Sequence, residues 1–302
     1  MMLFMTKGER QKLERDMAEL TKRKSLWRDV WARFTRNRLG MVGLCIMILL
    51  IILTVGAPLF TSHEPEFQDP TNRFAYPNRV NIMGTDNLGR DLWTRLLYGG
   101  RVSLLVSLAA TIMSAALGIT LGAIAGYFGG VIDLVLTRLL DMLMAIPQLL
   151  LAVSIAAALG TGPFNTALSI SISSVPGSMR ILRATVLAVR NNDFVEAARA
   201  TGSSHGRVIF REVLPNTIAP LLINLAAALG GGIMAISGLS FIGLGVQPPT
   251  PEWGAIMNSA RQYIRDFWPI VLFPAIIIFL VVFGINLLGD GLRDALDPRL
   301  KD

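Results

Sequence analysis

An all-α protein built into a membrane is the fold class this sequence predicts, and three observations predict it. Of the 302 residues, 52% are hydrophobic, and the mean hydropathy is +0.53. Soluble domains are rarely so apolar or so poor in charge. The apolar residues also come in blocks: 39–62, 102–132, 142–179, 217–250 and 268–289 hold no charged side chain, and a spanning helix needs roughly 20 apolar residues. Finally, arginines gather between blocks. Arg180, Arg183, Arg190, Arg199, Arg207 and Arg211 face only Asp193, Glu196 and Glu212 over that stretch, and arginine-rich loops stay on the cytoplasmic side.

The elements follow in order. Residues 1–38 form a basic arm with 11 Lys and Arg against 5 Asp and Glu, whereas the rest of the chain is nearly balanced. The net charge of +7 therefore predicts a cytoplasmic arm drawn to anionic lipid, not a nucleic-acid partner. A cleaved signal peptide is not expected, because the charged region is too long. Trp27, Val30, Trp31 and Phe34 fall on one helical face, and Arg28, Arg33 and Arg36 on the other. That is the pattern of an amphipathic helix in the membrane interface. Residues 39–60 form the first transmembrane helix, with the single cysteine, Cys45, as a small buried hydrophobe.

Residues 61–98 form an extracytoplasmic loop. Its segment from Gly84 to Asp91 reads as a turn and a helix start, after which Asp91 and Arg95 are spaced to pair. Residues 99–289 form a core of five spans. The second of six spans runs from about Val102, and Gly118, Gly122, Gly126 and Gly130 recur along it; small residues at that spacing admit a neighbouring helix. The third runs from about Leu134 to Gly160, with Arg138 and Asp141 expected to neutralise each other, and the fourth from about Phe164 to Leu187. The polar unit 196–215 comes next, and Pro215 is expected to end it before a fifth span from Ile218 to Leu244. The sixth is Trp268 to Leu288, and 290–302 is a cytoplasmic tail.

Asn165, Ser169 and Ser173 share one face of the fourth span, and Asn224 and Ser237 lie at depth in the fifth. Such groups line a translocation path or hydrogen-bond between helices. The outer residues Asp86, Arg90, Pro248, Pro249 and Trp253 suit contact with an extracytoplasmic partner or bracing of the outer mouth.

No G-x-x-x-x-G-K-[ST], H-E-x-x-H or C-x-x-C occurs, so the chain shows no nucleotide, metal or redox signature and is expected to need no cofactor of its own. No span carries an isolated central carboxylate, which argues against a self-sufficient secondary transporter or channel. An external energy source is the natural inference.

Glu196-Ala197-Ala198, Gly202 and Leu214-Pro215 resemble the EAA motif of ABC importer permeases. Gly84-Thr-Asp-Asn-Leu-Gly-Arg-Asp91, Leu244 to Gly254 and Asn286 to Pro298 narrow the match. The chain is similar to the C-type inner-membrane permease subunit of dipeptide, oligopeptide, glutathione and nickel importers. That resemblance implies a type I importer core in the cytoplasmic membrane of a prokaryote, with both termini inside. It implies a B-type permease as heterodimer partner, an extracytoplasmic solute-binding protein, and two ABC ATPases that bind ATP and Mg and dock on the EAA unit. Transport would run by alternating access, with short peptides as the expected substrate and nickel as the alternative.

Overall fold

The computed structural model describes residues 26–296, and every regular element in them is helical apart from an isolated bridge between Thr85 and Asp91. The arm before residue 26 and the tail after 296 lie outside the described residues. Helix α1 (Leu26–Phe34) is the expected amphipathic helix. Phe34 is buried while Trp31, stacked on it at 5.8 Å, is exposed. Asn37 then caps α2 (Arg38–Val55) by accepting from the Gly40 N–H, and its amide donates to Asp294 at 2.8 Å. One short turn, α3 (Ala57–Phe60), follows.

Helix α4 (Leu92–Phe128) starts inside the stretch read as an outer loop. Its start is fixed by Asp91, whose carboxylate accepts from the N–H and hydroxyl of Thr94 at 2.8 and 2.7 Å and from Asn81 at 2.9 Å. A carboxylate at the N-cap satisfies orphan N–H groups. The expected pair with Arg95 therefore does not form. Arg95 turns to Asp86 at 3.5 Å and to the Pro65 carbonyl at 3.0 Å.

The single third span expected between Leu134 and Gly160 is two helices. These are α5 (Gly130–Met144) and α6 (Gln148–Leu159), bent by 87° across the break. Pro147 has no N–H to donate and its ring would clash with the carbonyl four residues back, so the helix ends before it. Arg138 is not the partner of Asp141 either: Asp141 pairs across to Arg180 at 2.7 Å, while Asp133 holds Arg183 by both oxygens. An Arg placed ahead of an Asp on one helix is the weaker order for an intrahelical pair, and α7 (Pro163–Val189) supplies arginines from alongside.

The chain continues through α8 (Asp193–Ala200) and α9 (His205–Val208), a π turn at Ile209–Val213 and a 3₁₀ turn at Leu214–Thr217. It then enters α10 (Ile218–Phe241). Pro215 does not end the unit as expected. His205 to Phe241 is one helical run, in which the proline sits in the 3₁₀ turn just after the π turn. Helices α11 (Trp253–Ser259) and α12 (Pro269–Leu296) complete the chain. By length and composition α2, α4, the His205–Phe241 run and α12 can cross a membrane, and the bent pair α5–α6 makes five if it is one span. Helix α7 has the length, at 27 residues, but is rich in Ser, Thr and Asn. The expected count of six rests on it.

The bundle is held by close helix contacts. On Gly122 of α4 a methyl group would lie 2.8 Å from the Met179 carbonyl oxygen of α7, and on Gly126 it would lie 2.8 Å from Val186. The glycine ladder thus seats α7, except Gly130, which with Gly129 makes the turn at φ +55° and +67°. Helix α2 crosses α12 in the same way, Gly40 against Gly291 and Gly43 against Gly284.

Candidate functional site

At the Leu92 end of α4 a buried brace forms. Asp86 is fully buried and accepts from the backbone N–H of Leu88 and Arg90, at 2.8 and 3.0 Å, and from the Arg90 guanidinium at 2.7 Å. Trp253 is fully buried and its indole N–H donates to the Leu96 carbonyl at 2.9 Å. Glu252, also fully buried, accepts from the Ser103 hydroxyl and from the Ala255 N–H, each at 2.9 Å. Gly99 and Gly100 admit this segment against α4. Asp86, Arg90 and Trp253 are thus buried, with their hydrogen bonds made inside the chain. Pro248 and Pro249 remain exposed. Sequence reasoning missed Glu252; a carboxylate preceding an apolar helix is the N-cap signal that would have found it.

Midway along the bundle lies a cavity of about 830 Å³, between α4, the α5–α6 break, α7 and α10. Its polar lining consists of Thr111, Gln148, Ser173, Ser174, Ser178 and Asn224, and no charged side chain lines it. Gln148 donates to the Ser174 hydroxyl at 2.8 Å. Ser173 donates to the Ile170 carbonyl and Asn224 to the Pro220 carbonyl, so each keeps further hydrogen-bonding capacity. The other members of the expected stripe lie elsewhere. Ser169 is fully buried and donates to the Asn165 carbonyl at 2.7 Å, and Asn165 donates to the Leu159 carbonyl. Ser237 is buried away from the cavity, its carbonyl against Gly254. The cavity owes its shape to the Pro147 break, which places Met144, Pro147 and Gln148 on its wall.

At the Phe128 end an elbow forms from α8 and α9. Asp193 and Glu196 stand in the first turn of α8 and Arg199 in its last, each complementing the helix dipole. Gly202 closes it at φ +79°: its N–H donates to Arg199 and that of Ser203 to Ala198. This is a Schellman turn, which needs a left-handed residue. Glu196, Ala197, Gly202 and Pro215 are exposed, and Ala198 and Leu214 are half-buried. Val195, Val208 and Val213 are fully buried against Ala123, Tyr127, Leu182 and Val186. Phe194 and Phe210 face outward. Polar contacts fasten both the elbow and the end of α7 to α4. The Tyr127 hydroxyl is hydrogen-bonded to Nδ1 of His205 at 3.0 Å, the Arg199 guanidinium lies 4.8 Å over the Tyr127 ring, and Arg190 donates to the Gly126 carbonyl at 2.9 Å.

Apolar helices around an uncharged cavity, with a structured polar elbow at one end, define a subunit that moves solutes across a membrane. The comparisons specify it further. Residues 118–302 match the family described as binding-protein-dependent transport system inner membrane component, and the chain belongs to that family. Residues 25–77 match the N-terminal TM domain of oligopeptide transport permease C. The dipeptide transport system permease protein of Alkalihalophilus pseudofirmus is 42% identical over 92% of this chain and 91% of its own. A glutathione transport system permease protein of Escherichia coli is 40% identical over 91% of each chain. In fold the chain is similar to one from the MetNI methionine ABC transporter, with TM-score 0.55 and 16% identity over 67% of this chain and 97% of that one. The protein is an integral inner-membrane permease subunit.

Proposed function

We propose that this chain forms half of the translocation pathway of an ATP-driven importer of short peptides, working by alternating access. A second permease would complete the pathway, two ATPases would dock on the elbow 196–215, and an extracytoplasmic solute-binding protein would deliver substrate. The observation that carries the substrate class is the uncharged cavity. A peptide stripped of water needs hydrogen-bond partners for its amides, each unmet group costing about 1–3 kcal/mol, and neutral hydroxyls and amides meet that need without selecting for side-chain charge. Nickel is less favoured, because the lining offers neither imidazole nor carboxylate. The names of the dipeptide and glutathione relatives point the same way. The basic arm, set against four basic and five acidic residues in 61–98, supports cytoplasmic termini.

Two experiments test this reading. Labelled dialanine, glutathione and nickel are offered to proteoliposomes holding the chain with the partners encoded beside it. ATP-dependent uptake of the peptides is expected; uptake of nickel alone, or uptake without ATP, overturns the proposal. Single cysteines at the exposed Ser62 and Ser204, in a Cys45→Ala background, report orientation. An impermeant thiol reagent outside the cell should label the first and spare the second.

A further inference from the structure

We propose that Tyr127 is the positioning residue that makes the elbow and α4 move as one body. The proposal rests on the reading that the ATPases dock on the elbow. The elbow has two arms, α8 and α9, joined at Gly202. Gly202 is an open turn: a methyl group placed there would meet no atom within 4 Å, so tertiary packing does not clamp the hinge itself. The two arms are held together away from that turn, by the buried Val195 and Val208 and, through directional contacts, by Tyr127. Arg199, near the end of the first arm, lies over its ring, and His205, at the start of the second, is bonded to its hydroxyl. One buried side chain therefore receives both arms, one through its π face and the other through its oxygen.

The placement of Tyr127 gives this clamp its reach. It sits in the last turn of α4, and Arg190 secures the adjoining Gly126 carbonyl. Helix α4 is 37 residues of unbroken helix, about 55 Å long. It borders the cavity at Thr111 and Ala115, and at its far end it carries the brace of Leu96 with Trp253 and Ser103 with Glu252. A displacement of the elbow held by Tyr127 would thus reach the cavity wall and the brace through one rigid element. A tyrosine that merely filled space under the elbow would have no use for its hydroxyl, nor for contact with residues on both sides of the hinge.

The test reads solute transported per ATP hydrolysed, a ratio that a smaller amount of folded complex does not change. Tyr127→Phe keeps the ring and the Arg199 contact and loses only the bond to His205. It and His205→Ala should each lower the ratio roughly fivefold, the lower end of typical coupling between sites. The double variant should be no worse than either alone, because both remove the same bond. Tyr127→Leu, which also removes the π face, should lower the ratio further while the ATPases still co-purify. A wild-type ratio in Tyr127→Phe and His205→Ala, or losses that simply multiply in the double variant, overturns the proposal. A cross-link from Ala197→Cys to the ATPase, in a Cys45→Ala background, tests the docking reading separately. If no cross-link forms in an active complex, that reading fails, whereas normal ratios with the cross-link present sink only the role of Tyr127.

Discussion

The two ends of α4 solve opposite problems. At the Leu92 end, Asp86, Arg90, Arg95, Glu252 and Trp253 are all buried and bonded within the chain. At the Phe128 end, the elbow leaves Glu196, Ala197, Gly202 and two phenylalanines open and is fastened by valines and by two contacts to Tyr127. Buried charge without its partner is costly, so the first end tolerates little change. The second keeps an exposed surface. The motifs at both ends look alike in sequence, polar residues with glycine and proline, and only burial separates the closed end from the open one.

The comparison breaks first at the brace. Trp253→Ala removes a fully buried indole and its bond to Leu96, and it should cost about 3–5 kcal/mol, seen as a lower thermal unfolding midpoint in detergent. A midpoint like that of the wild type would mean the brace is not structural. At the elbow, Gly202→Pro cannot adopt φ +79° and has no N–H for the Arg199 carbonyl. Transport and substrate-stimulated ATP hydrolysis should be abolished while membrane insertion and the unfolding midpoint stay close to wild type. A large fall in that midpoint would erase the contrast between the ends.

Midway, Ser173→Leu replaces a cavity hydroxyl with an apolar side chain. Peptide uptake should fall by roughly fivefold or more, the equivalent of one unmet hydrogen bond at about 1 kcal/mol, with solute-binding-protein affinity intact. Leu168→Ile, outside the cavity, should be nearly silent. The smallest effect is expected from Arg180→Gln, because Arg180 and Asp141 are 55% and 37% exposed. An exposed pair is worth at most about 1 kcal/mol, and a larger loss of stability would show that α5 depends on it.

By itself the sequence determined the class of the fold, because apolar blocks set helix length whatever the packing. The amphipathic α1, the glycine ladder of α4 and the polar start of the elbow at Glu196 were legible for the same reason: periodicity and spacing are local. Pro147 was visible too, yet Pro176 and Pro274 sit within α7 and α12 without ending them, so a proline alone does not announce a break. Tertiary structure decided the rest. It sent Asp91 to cap α4, Arg95 to Asp86 and Asp141 to Arg180, since a charge takes the partner that geometry brings within reach, not the one spaced conveniently along its own helix. It kept Ser173 and Asn224 on the cavity wall and turned Ser169 inward. A helical face gains its meaning only from the helix packed against it.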